Sequence, residues 1–132
     1  DRLAAALEAQ AGSGEQDLLH QKLNLAIAYL NFRSRRIESL ERDVQESRSA
    51  KAQIESTLNV WLERQQEMLQ SSSGLPSEEE RLRNEDIQMR IDLIKERISR
   101  LDTEIVSLES RIYELQSQID SVEEFVQKNL AL

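Results

Sequence analysis

From Ile87 to Val126, apolar residues recur at alternating spacings of four and three without a break. In heptad terms, Ile91, Ile98, Ile105, Ile112, Ile119 and Val126 take position a. Ile87, Ile94, Leu101, Leu108, Leu115 and Val122 take position d. A strict 3.5-residue period sustained this far predicts an α-helix supercoiled left-handedly against another helix. The first half follows the same rule with more exceptions. Its a positions are Leu23, Leu30, Ile37, Val44, Lys51, Leu58 and Gln65. Its d positions are Leu19, Ala26, Arg33, Leu40, Ser47, Ile54, Trp61 and Met68. Arg33, Ser47, Lys51 and Gln65 are polar, and polar residues in a seam lower stability while fixing register or orientation, or leave it locally hydrated.

Between the two patterns lies Ser71-Ser72-Ser73-Gly74-Leu75-Pro76-Ser77, a loop by composition. The restart is well marked. Ser77 suits an N-cap, and Glu80 stands three residues on, as in a capping box. Glu78, Glu79 and Glu80 place negative charge where a helix N-terminus favours it. The arms 19–70 and 77–128 are of equal length, 52 residues each. Equal arms around a seven-residue loop predict an all-α fold: a long antiparallel coiled-coil helical hairpin. A parallel dimer is the competing geometry, since β-branched residues at a with Leu at d suit it. Its flanks argue against it: Arg90 would face Lys95 and Glu104 would face Glu109, with only Arg97 and Asp102 attracting. Two hairpins associating into a four-helix arrangement remains a further expectation.

Leu18, Leu25, Ile27, Tyr29 and Phe32 lie outside a and d, so the apolar surface of this stretch is wider than a two-helix seam needs. They form the candidate partner patch. A second copy of the chain is one candidate cover. Another is a short helix at 1–11, followed by a flexible linker at 12–14, Gly12-Ser13-Gly14, that is native or an engineered tether. The expected organisation is then a first coiled-coil helix at 15–70, a loop at 71–77 and a second helix at 78–130.

Charge and composition narrow the function classes. The chain has 132 residues, 32% charged and 4% aromatic, with three Gly and one Pro. So few helix breakers leave room for long helices and little else. The net charge of −8 argues against nucleic-acid phosphate and against anionic membrane surfaces. Without Cys there is no thiolate zinc site, and no apolar run is long enough to span a bilayer. An intracellular setting and a segment of a larger protein are the expectations.

Motifs for chemistry are missing. There is no phosphate-binding Gly-rich loop, no His-Glu-x-x-His pair and no nucleophile elbow. His20, the sole His, falls at e beside the seam, with nothing arranged to make it a general base. The reading is no enzyme, no cofactor, no metal and no small-molecule ligand. Trp61 at d reads as packing near the loop or as a partner anchor. Arg33, Arg35, Arg36 and Arg42 form a small basic cluster, expected to pair with acidic residues of the other arm such as Asp120, Glu123 and Glu124, with an anion-binding site as the alternative.

One stretch carries a family likeness. Leu62-Glu63-Arg64-Gln65-Gln66-Glu67 is followed by Ser73-Gly74-Leu75-Pro76-Ser77-Glu78-Glu79-Glu80-Arg81, and then by the Ile/Leu-rich run from Ile94 to Ile105. Residues from about 50 to 105 thereby resemble part of the stalk of kinesin-4-type motors. Val106-Ser107-Leu108-Glu109 stands where that family carries a Tyr-containing acidic stretch. The resemblance implies a cytoskeletal setting and a hairpin that folds onto a motor domain and inhibits it, or a dimerising stalk segment. Read from the residues alone, the chain is a non-catalytic coiled coil for protein–protein interaction. A plain homo-oligomerisation module and the arm of a chromosome-organising ATPase are the alternatives.

Overall fold

The computed structural model describes the backbone of residues 2–71, 74 and 77–130, and the side chains of 14–71, 74 and 77–129. The fold is an all-α hairpin of two helices packed against each other, α1 at Arg2–Ser71 and α2 at Glu78–Leu130. By packing, the chain divides into two units. One is Leu40–Arg111, and the other combines Asp1–Ser39 with Ile112–Leu132.

In the Leu40–Arg111 unit, both helices turn their a and d residues inward. Leu40 is 2% exposed and Ile91 is 1% exposed, and Val44, Ile87 and Ile105 are also buried. Ile54, Leu58, Trp61, Met68, Ile94, Ile98, Leu101 and Leu108 are half-buried. Two helices alone cannot enclose a seam from every side, so partial exposure of a and d residues is the normal state of such a pair. Cross-helix contacts fix the direction. Arg48 pairs with Glu109, Lys51 with Asp102, and Gln65 with Gln88. As the residue number rises along α1 it falls along α2, so the helices are antiparallel. The Arg48–Glu109 pair joins an e position to an e position, the flank pairing that antiparallel order produces.

The other unit carries Ile37, Leu115 and Ile119 as its buried residues, with Leu23, Leu30, Ile112, Val122 and Val126 half-buried. Here the Tyr29 hydroxyl donates to Gln118 Oε1 at 3.2 Å, joining g to g.

The turn region shows why the chain reverses. Gly74 has φ +106°, a conformation that side chains with a Cβ resist. The Glu80 amide donates to Ser77 Oγ at 3.2 Å and the Arg81 amide to the Ser77 carbonyl at 3.0 Å, which starts α2. Glu78, Glu79 and Glu80 occupy its first turn, where the helix dipole favours them. At the other end of the chain the structure differs from the sequence expectation. A short helix at 1–11 and a joint at 12–14 were expected, but α1 runs from Arg2 through these positions. Each Gly disfavours helix by only about 1 kcal/mol, which weakens a helix without ending it. The side chains of residues 1–13 fall outside the described set.

The seam makes a direct prediction. Ile91→Ala should lower the unfolding free energy by about 2–5 kcal/mol. Met89→Ala, two residues away but 64% exposed, should change it by less than about 0.5 kcal/mol. Urea unfolding followed by circular dichroism checks both, and equal effects would overturn the assigned seam.

Candidate functional site

Two features stand out from the plain seam: the polar residues inside it and the apolar residues outside it. Among the polar seam residues, Lys51 at a reaches Asp102 at 2.6 Å and Glu55 at 3.6 Å. Its side-chain hydrogen bond to Asp102 holds the ammonium above the ordinary lysine range, partial burial works the other way, and the charges of Asp102 and Glu55 add to the rise. Gln65 at a donates to Gln88 at 2.6 Å, and Gln88 donates in turn to Asp92 at 2.9 Å. These two a-site residues therefore reach across to α2 in a single antiparallel alignment. Ser47 is buried at d and leaves the seam thin there. Arg33 at d lies over the Tyr29 ring, 5.0 Å from its centroid, and its Nε is buried without a hydrogen-bond partner among the described residues.

Trp61 sits under two guanidiniums. Arg64 and Arg90 lie 4.9 and 5.0 Å from its ring centroid, within cation–π range. A surface groove of about 500 Å³ opens beside it, lined by Thr57, Trp61, Arg90, Leu93, Ile94, Glu96, Arg97 and Arg100. Arg90 is held by Asp86 at 3.2 Å and Arg100 by Glu96 at 2.6 Å. The groove is open, and Trp61, three arginines and Glu96 are among the residues that line it. Among the described residues there is no group of His, Cys, Asp and Glu that could hold a metal ion, and no helix is long and apolar enough to cross a membrane. His20 is exposed.

The candidate partner patch sorts into two surfaces. Leu18, Leu25 and Phe32 are 53%, 70% and 67% exposed, and all three occupy c. Tyr29 at g is half-buried beside them. Ile27, also exposed, occupies e. At 100° per residue, Ile27 lies about 160° around the helix from Leu25 and from Tyr29. The patch is therefore a c/g stripe, with Ile27 on the other flank. Because g faces g across this unit, Phe125 at g of α2, 43% exposed, shares the flank of the stripe. At the g positions of α2, Phe125 follows Glu104, Arg111 and Gln118, so no apolar period singles it out in the sequence. The expected pairing of the arginine cluster with α2 is not seen. Among the described residues, Arg33, Arg35, Arg36 and Arg42 make no ion pair, and neither Asp120 nor Glu123 makes one. Glu124 pairs along its own helix with Lys128 at 3.3 Å. Arg35 and Arg36 are exposed, at f and g.

The Lys51–Asp102 contact sets a pH dependence. A lysine whose pKa is raised by folding contributes stability that is fully present below its unfolded value and is lost as pH rises through the folded value. Asp102→Asn should therefore lower the melting temperature at pH 7. The gap from wild type should close as pH rises past the ordinary lysine value of 10.5. A gap that persists at higher pH would show that Asp102 acts through something other than Lys51.

Compared with known proteins, the chain matches no protein-family model, no curated protein and no solved structure.

Proposed function

We propose that this chain is a non-catalytic coiled-coil element of a larger protein, structural or regulatory, that works by protein–protein contact. One observation carries the reading: the a and d residues are consumed in joining α1 to α2, while large apolar side chains remain exposed off the seam in both units. Leu18, Leu25 and Phe32 do so in one, and Leu69, Met89 and Leu93 in the other. Exposed apolar side chains that recur along a helix face are a signature of a binding surface. The polar seam residues support the same reading, because Lys51 and Gln65 trade stability for a single alignment of the helices. A fixed alignment keeps outward-facing residues in constant positions, as a contact element requires.

Within this reading, the stalk of a kinesin-4-type motor is the setting that the residues around the turn suggest, with a cytoskeletal location and an autoinhibitory contact on the motor domain. The mechanism would be steric: the hairpin occupies a face of the motor and holds it from its track. The test is microtubule-stimulated ATP turnover by a purified kinesin-4-type motor domain, measured with increasing amounts of this chain. Saturable inhibition is expected, and it should weaken in a variant carrying Leu69→Ser and Met89→Ser. A rate unaffected at all concentrations would remove the motor-regulating role.

A further inference from the structure

The stripe on α1 has a period of its own. Leu18, Lys22, Leu25, Tyr29 and Phe32 are spaced by four, three, four and three residues. This is a second heptad phase on the same helix, rotated by about 110° from the seam. Apart from Lys22 the stripe is apolar or aromatic, and α2 leaves Leu18, Leu25 and Phe32 exposed while only partly covering Tyr29; a 3.5-residue period of this kind calls for another helix. The flanking residues say which one. Between residues 15 and 36 the charged residues are Glu15 and Asp17 at one end, Arg33, Arg35 and Arg36 at the other, and Lys22. Around the middle of the stripe the flanks are neutral: Gln21, Asn24, Ala28 and Asn31. Among the described residues, Arg35 and Arg36 make no ion pair.

We infer that this stripe binds the same stripe of a second copy of the chain, antiparallel about a two-fold axis. In that arrangement Leu25 of each copy packs beside Tyr29 of the other, and Lys22 beside Phe32 of the other. Glu15 and Asp17 of each copy come level with residues 39 and 37 of its mate, within about one turn of the mate's Arg35 and Arg36 and close to its Glu38. A parallel pairing would instead set Glu15 and Asp17 against their own copies and the arginines against theirs. Self-complementarity of this kind is what an isologous two-fold interface requires. Phe125, on the same flank, widens the apolar face from α2. The contact leaves the α1–α2 seam intact, so two folded hairpins associate without exchanging helices. The inference rests on the reading of this chain as a contact element and names one partner for one of its surfaces.

The test is the mass of the full chain in solution, measured by sedimentation equilibrium over a concentration series. The chain should pass from 15.3 kDa to twice that mass as concentration rises. Leu25→Asp should return it to the monomer, with helicity and melting cooperativity kept, because Leu25 is outside the seam. Charge reversal decides the orientation. A variant with Arg35→Glu and Arg36→Glu, and another with Glu15→Lys and Asp17→Lys, should each self-associate less than wild type. Mixed in equal amounts, they should form a heterodimer whose strength falls with added salt. A wild-type chain that stays monomeric at all concentrations, a dimer that survives Leu25→Asp, or variants that gain nothing on mixing would each overturn the inference. None of these outcomes bears on the motor-turnover assay, so the broader reading stands or falls separately.

Discussion

Everything in this protein follows from a row of apolar residues that each helix cannot bury by itself. A helix with Ile and Leu at a and d exposes a continuous apolar strip to water, and association of two such strips removes it from solvent at about 25 cal/mol per Å². With an arm of similar length attached through a short loop, the nearest strip is always on the same chain. The effective concentration of that arm is set by the loop and not by the protein concentration. Gly74 makes the reversal sterically easy, and Ser77 with the three glutamates starts the second helix cleanly.

The apolar row sets the association but only weakly sets its alignment, since sliding one helix by a heptad preserves most of the contacts. Alignment comes from the exceptions. Lys51 to Asp102 and Gln65 to Gln88 join residues that meet only in one register and one orientation. Arg48 with Glu109 adds an e-to-e pair that a parallel arrangement would not form. In the structure Lys51 and Gln65 each make a polar contact across to α2 at the partly exposed edge of the seam. Exposed pairs of this kind contribute little to overall stability. Their effect is selective, because a one-heptad slide that brings Lys51 to Glu109 takes Arg48 to Gln116, and the opposite slide that brings Arg48 to Asp102 takes Lys51 to Lys95.

A fixed alignment is also what gives the outward residues meaning. With α1 and α2 locked, the c/g flank of α1 and the g residue Phe125 of α2 occupy one side, and Ile27 the other. In the Leu40–Arg111 unit, Trp61 with its two arginines and Leu93 occupy a second, more basic groove. There Arg64 and Arg90 lie on the Trp61 ring, while Asp86 and Glu96 pair with Arg90 and Arg100.

The sequence by itself determined the helices, the break between them and which residues face inward. All three follow from local chemistry and periodicity: the 3.5-residue spacing, the Gly-Leu-Pro-Ser turn and the acidic first turn of α2. It also showed, through Leu18, Leu25 and Phe32, that one stretch carries more apolar surface than a seam uses. It suggested a joint at Gly12-Ser13-Gly14, through which α1 runs, since glycine weakens a helix without ending it, and it placed the arginine cluster against acidic residues with which, among the described residues, it makes no ion pair. Only the tertiary structure decided which positions of α1 stand beside which of α2. That information is non-local: heptad letters repeat identically along each arm, and contacts such as Lys51 with Asp102 or Tyr29 with Gln118 exist only once two distant stretches are side by side. For the same reason only the packed pair shows Phe125 sharing a flank with Tyr29 while Ile27, two residues from Tyr29 in sequence, does not.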